Sequence, residues 1–459
     1  MKLENTLAER LDAILASQKQ FFLTDATRDV AFRKHQLKAL LQAMESHEQD
    51  LADVLWTDLH KSYEEAYLTE LSLVKGEIRD ALRHVKGWAR RERKQTPVTL
   101  LGSRSYIVKE PLGAALIVSP WNYPVQLLLS PLVGAIAAGC TAVLKPSPYV
   151  PHVARAIEKM IHSAFDEQYI AVVQGNREVN AHLFTQKYDL IFFTGSPALA
   201  RTVAAAAAPN LTPLVLELGG KSPCIISRDA NIARAAKRIA WGKTLNAGQT
   251  CIAPDYVLIH PDVKEAFVQA FDEAIRTLHG KDIRADKHYV RMVSDKAFDR
   301  VTGYLQEGTV RYGGHSDASE RFIEPTLLDG VRADADVLTT EIFGPVLPIV
   351  TLDDPGRSFS DQVVDYVTRA RSRWPSIISE RNPKDGILCA ALLQAAVAST
   401  TRSCTLPIRP CRSAVSAIPA WAATIAAKAS RPSRTAAPSW LLRRGWILRS
   451  AICPTNSSG

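Results

Sequence analysis

Residues 214–226 read LVLELGGKSPCII, and residues 246–253 read NAGQTCIA. Glu217 lies between apolar residues and directly ahead of the pair Gly219-Gly220, while Cys251 follows Gly248-Gln249-Thr250. Partial burial raises the pKa of a carboxyl group and suits a general base. A nucleophilic thiol needs partial access and a lowered pKa. Glycine lets the backbone approach a ligand closely. The two stretches therefore predict one site assembled from two distant turns.

Each of the two groups also has a simpler interpretation. A lone cysteine is more often inert and buried than catalytic, and a carboxylate at the end of a strand is often just a surface group. On their positions alone, both interpretations of Cys251 and Glu217 stay open.

The composition is that of a globular protein, with 46% hydrophobic and 22% charged residues in a chain of 459. The N-terminus has no apolar leader, and the most apolar run, Leu127 to Leu144, contains Pro131 and two glycines, which favours a buried helix-turn-strand over a membrane span. The seven cysteines are scattered without paired spacing. That pattern argues against a disulfide framework or a metal site and predicts a cytoplasmic protein.

The periodicity of the chain predicts an α/β fold. Apolar residues at helical spacing predict a helical layer over 1–98, with Arg90 to Gln95 as a solvated helix end. From Ser105 onward, short strands alternate with helices, which predicts a doubly wound parallel sheet. A second α/β unit follows from about residue 218. We therefore predict a first domain over 1–217, with helices and the doubly wound sheet, and a second α/β domain over 218–368.

Several polar groups fall where the predicted strands end, the edge at which such sheets bind ligands. Asn122, in the turn Trp121-Asn122-Tyr123-Pro124, is either a turn residue or an amide directed at a developing oxyanion. Lys145 is either a solvated strand end or a donor to a cofactor. Gly195-Ser196 opens a helix, and helix N-termini attract phosphate. The chain contains no GxGxxG motif at this position, so the nucleotide signal is weak in itself.

Taken together, the ordered motifs PWNYP, KPS, FTGS, LELGGKSP, GQTC and EIFGP resemble those of the aldehyde dehydrogenase superfamily over roughly residues 1–368. The short N-terminus and the form of PWNYP and LTPLVLELGGKSP are most similar to class 3 and coniferyl-aldehyde dehydrogenases. The resemblance implies a small-molecule aldehyde as substrate, NAD or NADP as cofactor, no metal, no nucleic acid and a homodimer.

The resemblance also implies roles for individual residues. Cys251 would attack the aldehyde, the Asn122 side chain and the Cys251 backbone N–H would hold the oxyanion, and Glu217 would activate the water that releases the acid. Lys145 would bind the adenosine ribose, Ser196 the pyrophosphate and Glu341 the nicotinamide ribose. The full set expected at the cofactor is Trp121, Lys145, Gly195, Ser196, Leu218, Glu341 and Phe343.

Three positions depart from the family pattern. Pro148 stands after KPS, where the family usually has a glutamate that contacts ribose hydroxyls, so both NAD and NADP are expected to be accepted. Ala200 replaces a common glycine, and Cys140 replaces a usual asparagine. None of the three removes a catalytic group.

The resemblance stops near residue 370. Residues 367–459 carry 14 Lys+Arg against only Glu380 and Asp385. With plausible codons, a register one base earlier turns residues 412–425 into Pro-Phe-Gly-Gly-Val-Gly-Asn-Ser-Gly-Met-Gly-Gly-Tyr-His, which the family would place there. We therefore interpret 369–459 as a non-homologous, poorly packed tail that arises from a frameshift near 368–373.

Three hypotheses about function follow. The first is NAD(P)-dependent oxidation of a medium-chain aliphatic or aromatic aldehyde to its acid. The second is CoA-acylating or phosphate-dependent aldehyde chemistry, against which Glu217 favours water as the acyl acceptor. The third is an inactive or weakly active remnant, or a binder that uses its basic tail.

Overall fold

The computed structural model describes residues 3–373. The predictions for the basic tail, its packing and its reading frame therefore lie outside the described residues, apart from its first few positions. Residues up to Arg373 belong to the last described helix.

The N-terminal part is a helical layer, as predicted, up to Trp88. The prediction for Arg90 to Gln95 was wrong: Glu92–Lys94 forms an exposed strand, β1, which pairs antiparallel with β2, Ser105–Ile107. Backbone pairing with β2 takes the place of helical hydrogen bonds there. The helices are α1 Ala8–Leu23, α2 Val30–Ser46, α3 Glu48–Leu59, α4 Tyr63–Ala66 and α5 Ser72–Trp88, with a π-helical turn at Tyr67–Leu71 between the last two.

The first sheet has five parallel strands in the order β5-β4-β3-β6-β7. Its order reverses between β3 and β6, which is the switch point where open α/β sheets bind ligands. The doubly wound sheet is thus confirmed. The strands are β3 Ala114–Val118, β4 Thr141–Lys145, β5 Ile170–Val172, β6 Leu190–Gly195 and β7 Leu214–Leu218; the helices between them are α6 Gln126–Ala138, α7 Pro151–Ala164, α8 Arg177–Thr185 and α9 Pro197–Ala207.

Alternation along β3 explains how this sheet is covered on both faces. Ala115 and Ile117 pack with the helical layer, whereas Leu116 and Val118 pack with α1, α8 and α9. Successive side chains of a strand point to opposite faces, so a strand that is apolar at every position is buried on both. The run from Leu127 to Leu144 is α6 followed by β4, and no helix in the described part of the chain is long and apolar enough to cross a membrane.

The second sheet has the order β10-β13-β14-β9-β8 and follows directly after the three-residue passage 219–221. Four of its strands are parallel. The fifth, β10, is antiparallel to β13, and β10 was not predicted from the sequence. Its elements are β8 Ser222–Ile226, α10 Ile232–Thr244, β9 Pro254–Ile259, α11 Lys264–His279, α12 Asp295–Gly303, β10 Thr309–Tyr312, β13 Thr326–Asp329, α13 Asp336–Thr339, β14 Val346–Thr351 and α14 Phe359–Arg373; a small hairpin pairs β11 Ser316–Asp317 with β12 Phe322–Ile323.

The strand registers align the polar strand ends at one edge of the first sheet. Val118 pairs with Lys145, and Thr194 pairs with Glu217. Because all five strands are parallel, their carboxyl ends meet at this edge. The chain leaves the sheet there, passes through Gly219-Gly220 and enters β8, so the second unit adjoins the same edge.

Candidate active site

Cys251 lies in the loop between α10 and β9, and its exposure is intermediate. Burial, together with the negative charges of Glu341 and Glu217, raises the pKa of its thiol to about 11. Those charges act on the sulfur because both carboxylates lie within electrostatic reach of it. The structure therefore brings Cys251 and Glu217 together from two distant parts of the chain.

The catalytic interpretation of Cys251 calls for a lowered thiol pKa, whereas the structure raises it. Loss of water around the sulfur and the two acidic neighbours outweigh the backbone N–H groups of Cys251 and Ile252, which bond to the thiolate and favour it. The sulfur is therefore held as a thiol at neutral pH, and a base must take its proton before it can attack.

Asn122 is buried, and its side-chain Nδ2 donates to the backbone carbonyl of Gln249 at 3.0 Å. Gln249 precedes the nucleophile by two residues, so this bond joins the turn after β3 to the loop of Cys251. An amide nitrogen carries two hydrogens. One is used on Gln249, which leaves the second for another acceptor. A second link joins the same segments, since the Tyr123 hydroxyl lies 2.6 Å from Thr250 Oγ1.

The loop ahead of the nucleophile has an unusual backbone. Asn246, Ala247 and Gly248 have φ values of 52°, 50° and 71°, so three successive residues are left-handed. For a residue with a side chain this conformation costs about 1–2 kcal/mol. Gln249 helps to hold it: its Nε2 donates to the carbonyls of Asn246 at 3.0 Å and Arg291 at 3.1 Å.

Glu341 lies against the glycine pair that follows Glu217. One of its oxygens accepts a hydrogen bond from the Gly220 N–H at 3.2 Å, and a Cβ on Gly219 would overlap its carboxylate. Burial, reinforced by Asp255, raises the pKa of Glu341 to about 7. The glycines thus admit a second carboxylate beside the thiol.

A buried ion pair fixes the segment that carries Glu341. Lys221 pairs with Asp255 and also donates to the carbonyls of Val337 at 3.0 Å and Thr340 at 2.8 Å. The other Asp255 oxygen accepts the N–H of Ile342 at 3.0 Å. Neither residue of the pair was predicted from the sequence, although Lys221 stands inside the motif LELGGKSP.

Trp121, in the turn after β3, and Phe343, in the loop before β14, contact each other. Their rings form an edge-to-face pair with centroids 5.5 Å apart. Phe343 has a φ of 47°, so its backbone is left-handed. A non-glycine residue keeps this conformation only where contacts with the surrounding structure hold it. Two residues predicted to lie at the cofactor are therefore in contact.

The remaining predicted cofactor residues lie along the carboxyl edge of the first sheet. Lys145 is buried, donates from Nζ to the Pro146 carbonyl at 2.8 Å, and has its pKa lowered to about 7 by burial. Ser196 is exposed and caps α9, accepting from the Leu199 N–H at 3.4 Å. Gly195 and Leu218 are paired neighbours at the ends of β6 and β7.

This edge fits a dinucleotide. The N-terminus of α9 presents backbone N–H groups at an exposed end, where phosphate binds favourably. The hydroxyl of Thr194, directly before Gly195, is buried with no hydrogen-bond partner among the described residues. A buried donor or acceptor without a partner is costly unless a ligand or water satisfies it. The residues present therefore suit the phosphates and hydroxyls of such a cofactor.

Three charged residues near the site were not predicted. Lys61, Glu65 and Glu70 belong to the helical layer, for which the sequence analysis expected only a packing role. Their contacts reach the turns of Asn122 and Asn246. Their only signal in the sequence is three charges placed in an amphipathic helical stretch, which is usual for a solvated face.

The doubly wound sheet, with a cysteine and two carboxylates beside its carboxyl edge, is typical of an oxidoreductase. The family model described as "Aldehyde dehydrogenase family" matches residues 1–364, and the chain belongs to that family. This confirms the resemblance and the enzyme class predicted from the motifs.

Two named relatives and a solved structure agree with this family. The chain is 46% identical to 4,4'-diaponeurosporen-aldehyde dehydrogenase of Staphylococcus aureus over 335 residues, 72% of this chain and 73% of that protein. It is 38% identical to the dimeric NADP-preferring aldehyde dehydrogenase of Canis lupus familiaris over 74% of this chain and 75% of that one. The substrate-bound state of Staphylococcus aureus AldH superposes with a TM-score of 0.76 at 43% identity, covering 78% of each chain.

Proposed function

We propose that the protein oxidises a medium-chain aliphatic or aromatic aldehyde to the carboxylic acid with NAD or NADP, through a covalent intermediate on Cys251. The convergence of Cys251, Glu217 and Asn122 from three separate turns supports this most directly. A soft nucleophile, a base and an amide donor are what two-step acyl chemistry needs.

In the proposed reaction, a neighbouring carboxylate takes the Cys251 proton and the sulfur bonds to the aldehyde carbon. The oxygen then becomes an oxyanion, which the free Asn122 N–H and the Cys251 backbone N–H stabilise. NAD or NADP, when bound, supplies the hydride acceptor. The acyl group is then a thioester of Cys251, and Glu217 takes a proton from the water that hydrolyses it.

The cofactor would lie along the carboxyl edge of the first sheet. Lys145 would donate to the adenosine ribose, Ser196 and the α9 N-terminus would hold the pyrophosphate, and Glu341 would bind the nicotinamide ribose. Gly195, Leu218, Trp121 and Phe343 would form the walls. Because Pro148 replaces the usual ribose-binding glutamate, we propose that both NAD and NADP are accepted; one relative is named as NADP-preferring.

The substrate would enter on the side of Ile252, which adjoins the nucleophile and is 42% exposed. An apolar side chain at that position favours aldehydes with an apolar chain or ring. One relative is named as 4,4'-diaponeurosporen-aldehyde dehydrogenase, which supports an aldehyde as the substrate. We further propose a cytoplasmic homodimer with a cofactor domain over 1–217 and a catalytic domain over 218–368.

The test is formation of reduced cofactor from hexanal or benzaldehyde, with NAD and NADP compared. We expect Cys251→Ala to abolish it. Glu217→Gln should leave an acyl adduct on Cys251 that mass spectrometry detects after one turnover. Acyl-CoA formation on addition of CoA would instead support the CoA-acylating alternative, and no aldehyde-dependent reduction by the intact chain would support an inactive remnant.

The tail is tested with a second chain in which the bases encoding residues 369–459 are read one register earlier. If the tail arises from a frameshift, the repaired chain has the higher specific activity. Equal specific activities would contradict this interpretation. Strongly salt-dependent retention on DNA without aldehyde oxidation would favour the basic-tailed binder.

A further inference from the structure

A buried ion pair lies in the segment between α3 and α5. Lys61 Nζ bonds Glu70 Oε1 at 2.6 Å, and neither side chain is exposed to solvent. Removing two charges from water often costs as much as their attraction returns, so such a pair contributes little to stability by itself. Its other contacts indicate what it does.

Both members of the pair bond to the segment that contains Asn122. Lys61 Nζ donates to the Asn122 carbonyl at 3.0 Å. The second oxygen of Glu70 accepts from the N–H groups of Val125 at 2.8 Å and Gln126 at 3.2 Å, where α6 begins. The first N–H groups of a helix have no partner within it, and an anion satisfies them. Asn122 is thus held on both sides of its turn.

Glu65, on α4, bonds to the other half of the site. Its Oε1 accepts the backbone N–H of Asn246 at 2.8 Å. Asn246 and Ala247 are the two left-handed residues with side chains that precede the nucleophile loop. Such residues persist only where surrounding contacts determine them. Glu65 supplies one of those contacts from outside the loop.

The side chain of Asn246 also links the Asn122 turn directly to the loop that carries Cys251. Its Nδ2 donates to the carbonyl of Asn122 at 3.0 Å and to that of Gln249 at 3.1 Å. The Asn122 carbonyl therefore accepts from Lys61 and from Asn246, while the Asn122 side chain donates to Gln249. These contacts of Lys61, Glu65 and Glu70 thus end on the two turns that would bind the oxyanion and carry the sulfur.

We propose that Glu65 is a positioning residue for catalysis: with Lys61 and Glu70, it holds the left-handed turn at Asn246 against the Asn122 turn, so that the amide and the Cys251 sulfur face one carbonyl. This inference rests on the proposed function for the roles of Asn122 and Cys251. None of the three residues touches the reacting atoms in this scheme. They act through Asn122 and Asn246.

The test compares three replacements of Glu65. Glu65→Gln keeps a side-chain oxygen that can accept the Asn246 N–H, Glu65→Asp shortens the reach by one methylene, and Glu65→Leu removes the acceptor. We expect kcat to fall about tenfold or more in the Leu variant, less in Asp, and less than about threefold in Gln, with KM changed by less than about threefold. Glu64→Gln, an exposed carboxylate on the same turn, is the matched control and should behave as wild type.

Alkylation of Cys251 by iodoacetamide, without cofactor, gives a readout that does not depend on turnover. If the turn loosens, the sulfur gains water and its thiolate becomes more accessible. We therefore expect the Leu variant to react about threefold faster than wild type at about pH 8, and the Gln variant within about twofold of it. General misfolding would not be rescued by the Gln side chain.

The outcomes separate the two proposals. Wild-type kcat and alkylation rate in Glu65→Leu would overturn the positioning role. If wild type oxidises no aldehyde, the proposed function fails, while the alkylation rates still show whether Glu65 holds the loop. If Glu65→Leu does not fold, the Asp and Gln variants decide: equal kcat in both would overturn the inference.

Discussion

The carboxylate of Glu341 occupies the space in which a side chain at Gly219 would lie. The same carboxylate accepts the Gly220 N–H and helps to raise the pKa of the Cys251 thiol. The glycine pair in the motif LELGG therefore does more than permit a turn after β7. It lets a second acid from a distant loop lie against the backbone that directly follows Glu217.

We predict that Gly219→Ala displaces Glu341 and lowers kcat/KM for the cofactor by about tenfold or more, because a buried methyl group and a carboxylate cannot share this space. Steady-state kinetics with varied NAD or NADP measure the effect. Gly76→Ala is the control: Gly76 lies in α5 with nothing within 4 Å of an added Cβ. That change should stabilise the protein by about 0.5–1 kcal/mol and leave kcat/KM unchanged. Equal kinetics in both variants would contradict the role given to Gly219.

Glu341→Gln should make the thiol of Cys251 more reactive. The substitution removes a negative charge that raises the pKa of the thiol. Because the pKa of Glu341 is about 7, the carboxylate carries this charge only above that pH. We expect iodoacetamide to alkylate the variant about threefold faster than wild type at about pH 8.5, with the difference vanishing near pH 6. Glu45→Gln, an exposed position in the helical layer, should alter neither rate. A difference that is the same at both pH values would refute the charge effect.

The sequence was sufficient to predict which polar residues come together at the ends of the strands. Lys145, Ser196 and Glu217 end or follow strands of the first sheet, and parallel strands bring such positions to one edge. The raised pKa of Cys251 could not be predicted from the sequence. Its value depends on burial and on Glu341, which is 90 residues away in the chain and adjacent only after folding.

The helical layer shows the same limit. Its periodicity predicts helices, and α2 and α5 follow the pattern. Periodicity does not reveal that Lys61 and Glu70 point inward, since a charge in an amphipathic pattern ordinarily faces water. The strand at Glu92–Lys94 was missed for a related reason: all three residues are exposed, so no apolar alternation marks it.

Asp255→Asn should destabilise the protein strongly. The side chains of Asp255 and Lys221 are 5% and 6% exposed, so the change leaves a buried ammonium without its counterion. Removing one partner of a buried pair costs about 3–5 kcal/mol. Urea unfolding measures the loss, and the double variant Lys221→Met/Asp255→Leu should recover much of it. Asp334→Asn, in a surface pair with Arg332, should change the free energy of unfolding by less than about 0.5 kcal/mol. Equal losses in the buried and surface variants would contradict the role of burial.

Lys145→Met should stabilise the protein in a manner that depends on pH. Burial lowers the pKa of Lys145 to about 7 in the folded state, well below that of the unfolded chain. Between these two values the unfolded chain holds a proton that the folded protein does not, so this lysine makes stability rise with pH across that window. Below pH 7 the folded protein carries the full cost of a buried ammonium. We therefore expect the Met variant to exceed wild type by about 3 kcal/mol at about pH 6 and by clearly less at about pH 9.5, in free energies from urea unfolding.

Lys159→Met supplies the control for this pH dependence, because Lys159 lies on α7 with its side chain 72% exposed. Its difference from wild type should be small at both pH values, since an exposed ammonium has water around it in the folded and unfolded states alike. A stability gain for Lys145→Met that is constant with pH would mean that the improved packing of methionine, and not the removal of a buried charge, causes it.

Lys145→Met should also raise KM for NAD and NADP while kcat changes little, because Lys145 is proposed to bind the adenosine ribose, far from the carbonyl that Cys251 attacks.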